Sequence, residues 1–158
     1  MSFTDPLDYI LKHLRDRDRE EIAECGHPHQ LIDEAFRRAT FMQVWASPIT
    51  HKPACVIAFA EQTPKTLVAA MLATDDWPHV VRDVLKAVPQ IKEHLLRKGY
   101  VRAECRTMEG HDAAVTFLER LGFRLEARIP SYGKTGKAFR QYAWTLDDHS
   151  LGATPLGE

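Results

Sequence analysis

The chain has 158 residues, 44% apolar and 27% charged, with 21 basic against 22 acidic side chains. That is the length of one domain able to bury its own core, too apolar for a disordered chain and without the basic excess of a dedicated nucleic-acid binder. The longest apolar runs, residues 54–60 and 67–73, are seven residues each, against the ~20 that a membrane-crossing helix needs.

Residues 1–6 show neither the basic nor the apolar region of a signal peptide. Residues 9–14 read as a short strand or one helical turn. Residues 16–24 read as a helix, with Asp16 or Asp18 to cap it and Gly26 just past its end. The segment Cys25-Gly26-His27-Pro28-His29 gathers one thiol and two imidazoles. No second Cys/His pair follows at metal spacing, so it reads as a polar turn and no metal site is expected. Cys25, Cys55 and Cys105 form no CxxC and read as free thiols of a reducing cytosol. Residues 30–39 place Leu31, Ile32, Ala35, Phe36 and Ala39 on one helical stripe.

Three strands are expected next, at 41–47, 54–62 and 65–75. Their short links favour antiparallel hairpins, and the near-continuous apolar runs favour strands covered on both faces. Pro78 and Pro89 each suit the first turn of a helix, which gives helices over 78–87 and 89–98, or one bent rod, with Gly99 as its stop. Residues 100–106 alternate as a strand. Residues 112–121 form a helix with Ala114, Val115, Phe117, Leu118 and Leu121 inward and Gly122 as its stop. A hairpin over 123–129 and 138–146 follows, turning through the polar tip Tyr132-Gly133-Lys134-Thr135-Gly136-Lys137. Residues 1–80 carry net charge −4 and residues 81–158 carry +3, a mild asymmetry that reads as ordinary surface. The expected organisation is one domain over 1–146 with a loosely ordered tail at 147–158.

The segment His111-Asp112-Ala113-Ala114-Val115-Thr116-Phe117-Leu118-Glu119-Arg120-Leu121-Gly122-Phe123 resembles the Asn-x-x-Ala-x-x-Phe-Tyr-x-x-Leu-Gly-Phe segment of the GNAT (Gcn5-related N-acetyltransferase) superfamily. The glycine stops the helix, and the aromatic residue starts the next strand against the core. The order of elements over about residues 8–146 is similar too. The resemblance implies an α/β fold with a mixed, mostly antiparallel sheet of about 6–7 strands flanked by helices. It implies acetyl-CoA as cofactor, with its pantetheine arm in the wedge between two splayed parallel strands, placed here at 65–75 and 100–106.

Two departures bear on activity. Family enzymes hold the cofactor pyrophosphate on a glycine-rich loop at a helix N-terminus, where bare N–H groups gather. Here that region reads Thr74-Asp75-Asp76-Trp77-Pro78-His79-Val80-Val81-Arg82, and no glycine occurs between Gly26 and Gly99. The tyrosine that protonates the leaving thiolate in many members is matched by Leu118, which has no proton to give. Small GNAT-like proteins of T7-like bacteriophages, the internal virion proteins, are similar in lacking the glycine loop and in having Phe-Leu for Phe-Tyr.

For proton transfer the candidates are His111, Asp75 and Tyr132. His111 equally suits a helix cap or a solvent-facing position, Asp75 the region of a helix start, and Tyr132 rim packing. Asp75, Asp76, Trp77 and His79 mark the candidate cofactor region; Asp76 alternatively caps the helix behind Pro78. Glu61 and Glu104 are further candidate bases with surface placement as the alternative, and Tyr142 a further acid or a core residue. Arg106, Lys134 and Lys137 are candidate phosphate contacts or a polar hairpin surface. With no cofactor the wedge must be filled, and Trp77 is the expected plug, with residues 108–111 closing over it. Two functions stand side by side. One is a non-catalytic phage protein, a virion component or a binder of a host protein, in virion or host cytoplasm. The other is an acetyl-CoA-dependent N-acetyltransferase.

Overall fold

The computed structural model describes residues 5–146; the expected loose tail at 147–158 lies outside them. Helix α1 spans Pro6–Lys12, and Asp5 caps it by accepting from Asp8 N at 3.0 Å. Asp-Pro is a start signal for a helix, so the segment read as strand or single turn is a helix that buries Leu7, Ile10 and Leu11. Helix α2 (Asp16–Cys25) ends at Gly26, whose φ of 74° is the left-handed stop. Neither Asp16 nor Asp18 caps it; Arg15 stands at the cap position and makes no side-chain cap bond. Helix α3 (His29–Arg37) buries Phe36.

The strands are β1 (Phe41–Ala46), β2 (Pro53–Thr63), β3 (Thr66–Ala73), β4 (Arg102–Met108), β5 (Arg124–Ile129) and β6 (Phe139–Thr145), in sheet order β1-β2-β3-β4-β6-β5. All pair antiparallel except β3 and β4. This is the mixed, mostly antiparallel sheet expected, with six strands among the described residues.

A 3-10 turn at Trp77–His79 precedes one continuous helix, α4 (Val81–Arg97). Pro89 lies inside α4 rather than starting a new helix. A proline there removes one helical hydrogen bond. It is exposed, and the buried stripe Val84, Val88, Ile91 and Leu95 runs past it on the inner face. Packing of that stripe therefore holds the helix through the break. Helix α5 (Asp112–Arg120) buries Phe117 and Leu118, and Gly122 turns the chain at φ 89° into β5. Leu118 is core, as expected.

Two cores sandwich the sheet. Cys55, Ile57 and Phe59 of β2 pack with α4, Phe117, Leu118 and Trp144. Val56 and Ala58, on the opposite face, pack with α1 and Phe36. The alternation along β2 feeds both, which is why the strand is buried on both faces. The sheet's other half is polar on its outer face: Arg102 pairs with Glu104 at 2.8 Å and with Glu126, and Arg106 donates to Gln141 at 3.1 Å.

Candidate functional site

Strands β3 and β4 pair in parallel only at Thr66–Arg102, Leu67–Ala103 and Val68–Glu104. Beyond Val68 the pairing ends, while β3 runs to Ala73 and β4 to Met108. The two strands thus splay toward their C-terminal ends, and the divergence creates backbone groups that need partners.

Those partners come from the N-terminal segment. Leu14 bridges antiparallel to Thr74, and Arg15 N donates to Ala73 O at 3.0 Å. The Asp18 Oδ2 atom accepts from Ala73 N at 2.8 Å. On the facing strand, Glu21 Oε2 accepts from Met108 N at 2.8 Å and from Thr107 Oγ1 at 3.0 Å. One turn further along α2, Glu24 accepts from Thr135 N at 3.0 Å and from Thr135 Oγ1 at 2.6 Å, while its own carbonyl accepts from Lys134 N at 2.7 Å. The polar hairpin tip is therefore clamped onto α2. Gly133 lies close under this clamp: a Cβ there would displace the Glu24 carboxylate and stand 3.2 Å from Lys137 O.

Asp18, Glu21 and Glu24 recur every third residue and so share one helix face. They tie α2 to β3, β4 and the β5–β6 hairpin. This stripe escaped the sequence reading, where α2 was a charged helix with an aspartate cap; the repeat of three acids was its visible signal.

His111 is 2% exposed. Its Nε2 lies 2.6 Å from Asp18 Oδ1, and its buried Nδ1 has no hydrogen-bond partner. It holds the cap position of α5 through its backbone and makes no side-chain cap bond. Arg15 Nε stands 3.1 Å from Asp18 Oδ2, so Asp18 serves a strand, an imidazole and a guanidinium at once. Burial pushes the Glu21 carboxyl up, ahead of the lowering by Met108 N and its other partners. Burial also raises the Cys25 thiol and lifts that of Cys105 to about 12, so both favour the unreactive thiol form.

The splay leaves a cavity of about 480 Å³ that reaches both faces of the sheet. On one side it meets Ile22, Cys25 and Phe36; on the other Val88, Phe117 and Leu118. Arg15, Asp18, Glu21, Glu104, Arg106, His111 and Tyr132 contribute its polar wall.

The candidate residues divide between two places. His111 and Tyr132 both line the cavity. Tyr132 is 43% exposed at its rim, accepting from Arg106 Nη1 at 3.2 Å with that guanidinium over its ring. Asp75 is exposed and outside the cavity lining. Asp76 accepts from Thr50 Oγ1 at 2.8 Å and makes no cap bond to the turn behind it. His79 Nδ1 lies 2.9 Å from Ser47 Oγ, so the β1–β2 turn engages both. Trp77 packs edge-on against Phe117 with ring centroids 5.1 Å apart, under the Arg15 guanidinium. It lines a second cleft between α4 and α5, not the cavity. The expected plug is thus displaced: the N-terminal segment closes the strand ends, and the loop before α5 sends His111 to Asp18 rather than over Trp77. Glu61 accepts from the Tyr100 hydroxyl at 2.6 Å, and Tyr142 is core. Among the described residues no group of three or more His, Cys, Asp or Glu is placed to hold a metal, and no helix is long and apolar enough to cross a membrane.

A cofactor diphosphate at the start of α4 would meet Asp75 and Asp76, and Pro78 has no N–H to offer. The α4 cap position is Val80, without a side-chain cap bond. Like charges beside a dianion are repulsive, so these residues do not fit that group.

No protein-family model matches the chain, and no curated protein matches it in sequence. Solved structures match in fold. A candidate phosphinothricin N-acetyltransferase is 14% identical with a TM-score of 0.67, covering 92% of this chain and 96% of that one. An acetyltransferase from Bacillus subtilis in complex with CoA is 16% identical with a TM-score of 0.57, covering 84% and 93%. The candidate acetyltransferase yncA from Salmonella typhimurium, with acetyl-CoA, is 17% identical with a TM-score of 0.51; the match covers 63% of this chain and 61% of that one, under two thirds of its length. The fold is that of the GNAT acetyltransferases.

Proposed function

We propose that this chain is a binding protein on the GNAT fold, with a degenerate acetyl-CoA site and without acetyl transfer. Its type is that of the phage internal virion proteins, a virion component or a binder of a host protein, in the virion or the host cytoplasm. The observation that carries the reading is the capture of Ala73 N and Met108 N, one donor from each splayed strand, by Asp18 and Glu21. In the enzymes the sequence resembles, the wedge belongs to the pantetheine arm; here the chain's own carboxylates hold its ends. The two aspartates at the start of α4 and the leucine in the place of the tyrosine acid support the same reading. Calorimetric titration with acetyl-CoA tests it. The expected result is weak binding or none, and a dissociation constant in the low micromolar range or tighter overturns it. The partner surface is placed at the former cofactor end, rimmed by Asp75, Asp76 and His79. Charge reversal at Asp75 and Asp76 is expected to abolish association with phage particles in a folded protein, and unchanged association removes that placement.

A second reading, an acetyl-CoA-dependent N-acetyltransferase acting on a protein or small-molecule amine, is favoured by Glu21. A carboxyl raised by burial on the wall of a cavity suits a general base. Acetyl-CoA binding together with amine-dependent release of thiol would replace the first reading with this one.

A further inference from the structure

On the face of the sheet that packs against α1 and α3, the cavity joins an apolar floor to an arginine without a carboxylate. Val68 pairs with Glu104 in register, so Val68, Ala70 and Leu72 of β3 share a face with Glu104 and Arg106 of β4. Ile22, Ile32 and Phe36 pack on that face and line the cavity with them. Val68 is 38% exposed, an apolar side chain left open on the floor. The volume of about 480 Å³ falls in the range of small-molecule sites, roughly 300–1,000 Å³. Neighbouring arginines have glutamate partners: Arg102 meets Glu104 and Glu126, while Arg128 and Arg140 share Glu109. The partners of Arg106 are neutral. Its guanidinium donates to Gln141 Oε1 at 3.1 Å and to the Tyr132 hydroxyl at 3.2 Å, and it lies 5.3 Å from the centre of the Tyr132 ring. Its Nη2 makes no hydrogen bond among the described residues. These ties orient a planar fork of donors that suits a carboxylate.

The other charges on the wall are already matched. Asp18 serves Ala73 N, His111 and Arg15, and Glu104 holds Arg102. Glu21 accepts from Met108 N and Thr107 Oγ1, and burial pushes its carboxyl toward the neutral form. A second negative charge on a ligand would meet Glu104 and Glu21 with no cation left to balance it, so the ligand carries one. We propose that this cavity binds a small monocarboxylate with an apolar body, its carboxylate on the Arg106 guanidinium and its carbon body over Val68 and Ala70, against Ile22 and Ile32. The ligand class is an aryl or short alkyl carboxylic acid. The inference goes beyond the protein-binding reading, since a partner at the β3–α4 end leaves this face untouched.

Two probes of one shape test it: 3-phenylpropionate and its neutral counterpart, 3-phenylpropanamide. Calorimetry at neutral pH and low salt is expected to show the acid binding about ten-fold tighter than the amide, the gain of a charge-assisted pair over a neutral one. Equal binding of the two, or tighter binding of the amide, overturns the proposal, as does no binding of the acid at millimolar concentration. Arg106→Gln is expected to bring the acid down to the affinity of the amide and to leave the amide unchanged. A preference for the acid that survives in that variant overturns the assignment of Arg106. Arg106 is exposed, and a cooperative thermal melt checks that the variant folds. Should it fail to fold, Val68→Glu serves in its place, setting a carboxylate on the floor beside that of the ligand. Acid binding that persists in that folded variant places the ligand elsewhere and overturns the proposal. Tight acetyl-CoA binding with the preference for acid over amide intact would remove the non-catalytic reading and leave this one standing.

Discussion

Helix α4 meets the sheet through Val84, Val88, Ile91 and Leu95, none more than 6% exposed, whereas α2 packs a half-buried Ile22 and is tied down by Asp18 and Glu21 to the sheet and by Glu24 to the hairpin tip. Apolar burial is strong and non-directional: it fixes that a helix packs, and leaves the match of atoms to shape. Carboxylates at fixed spacing do the reverse. Each accepts from a particular N–H or O–H, so α2 is held in a single register across the splay with only Asp18 buried among its side chains. Buried contact can be trimmed and partly refilled. A directional contact that is broken strands the groups it served.

The sharpest way to break this contrast is Asp18→Ala. It leaves Ala73 N, His111 and Arg15 without their shared acceptor, and a loss of about 3–5 kcal/mol is expected, as for other broken buried pairs. Urea unfolding measures it; a loss near zero would mean that α2 is held by something other than its carboxylates. Leu118→Ala in the apolar counterpart is expected to cost about 2–5 kcal/mol by the same assay.

Smaller effects sharpen the comparison through pH. Glu21→Gln keeps an acceptor for Met108 N and should change stability by no more than about 1 kcal/mol at neutral pH. The wild-type carboxyl is raised above its ordinary 4.5 by burial, so the folded protein holds that proton to higher pH than the unfolded chain. Its contribution is fully present below 4.5 and lost as pH rises through the folded value. The variant should lack that decline, and parallel pH–stability curves for the two proteins would contradict it. Glu109 and Glu126 run the other way: arginine partners pull both to about 2, so what they contribute persists above 4.5 and fades as pH falls toward 2. The smallest effect is local. Glu24→Gln is expected to speed amide exchange at Thr135 without moving the protection of β2, and unchanged exchange at Thr135 would show that the clamp holds without it.

The fold was legible where burial follows a period. The β2–β3 hairpin and the Leu-Gly-Phe turn after α5 came from apolar runs and stop signals, and the burial of Leu118 followed from its place on an apolar stripe. Pro89 left two helices or one rod open, because proline reads as a boundary; the buried stripe on either side keeps α4 whole. The site was half legible. His111 was singled out, but its role depends on a residue 93 positions away. Asp18 and Glu21 have the pattern of a solvated helix face, and only the splay turns them inward. Trp77 was expected in the wedge because it is bulky and adjacent; Phe117 offers it a partner one helix away.

The ties of α2 also set an order of assembly. They join residues 18–24 to partners 86, 93 and 111 positions later in the chain. Loops of that length close slowly, and their entropy is lost before any contact repays it. During synthesis α2 emerges early; Asp18 can meet Ala73 once β3 exists, but the ties to Thr107, His111 and Thr135 wait for β4 and the last hairpin. Its docking is expected to be among the last events of folding. Asp18→Ala should accordingly speed unfolding and leave the folding rate nearly unchanged, with a φ-value near zero.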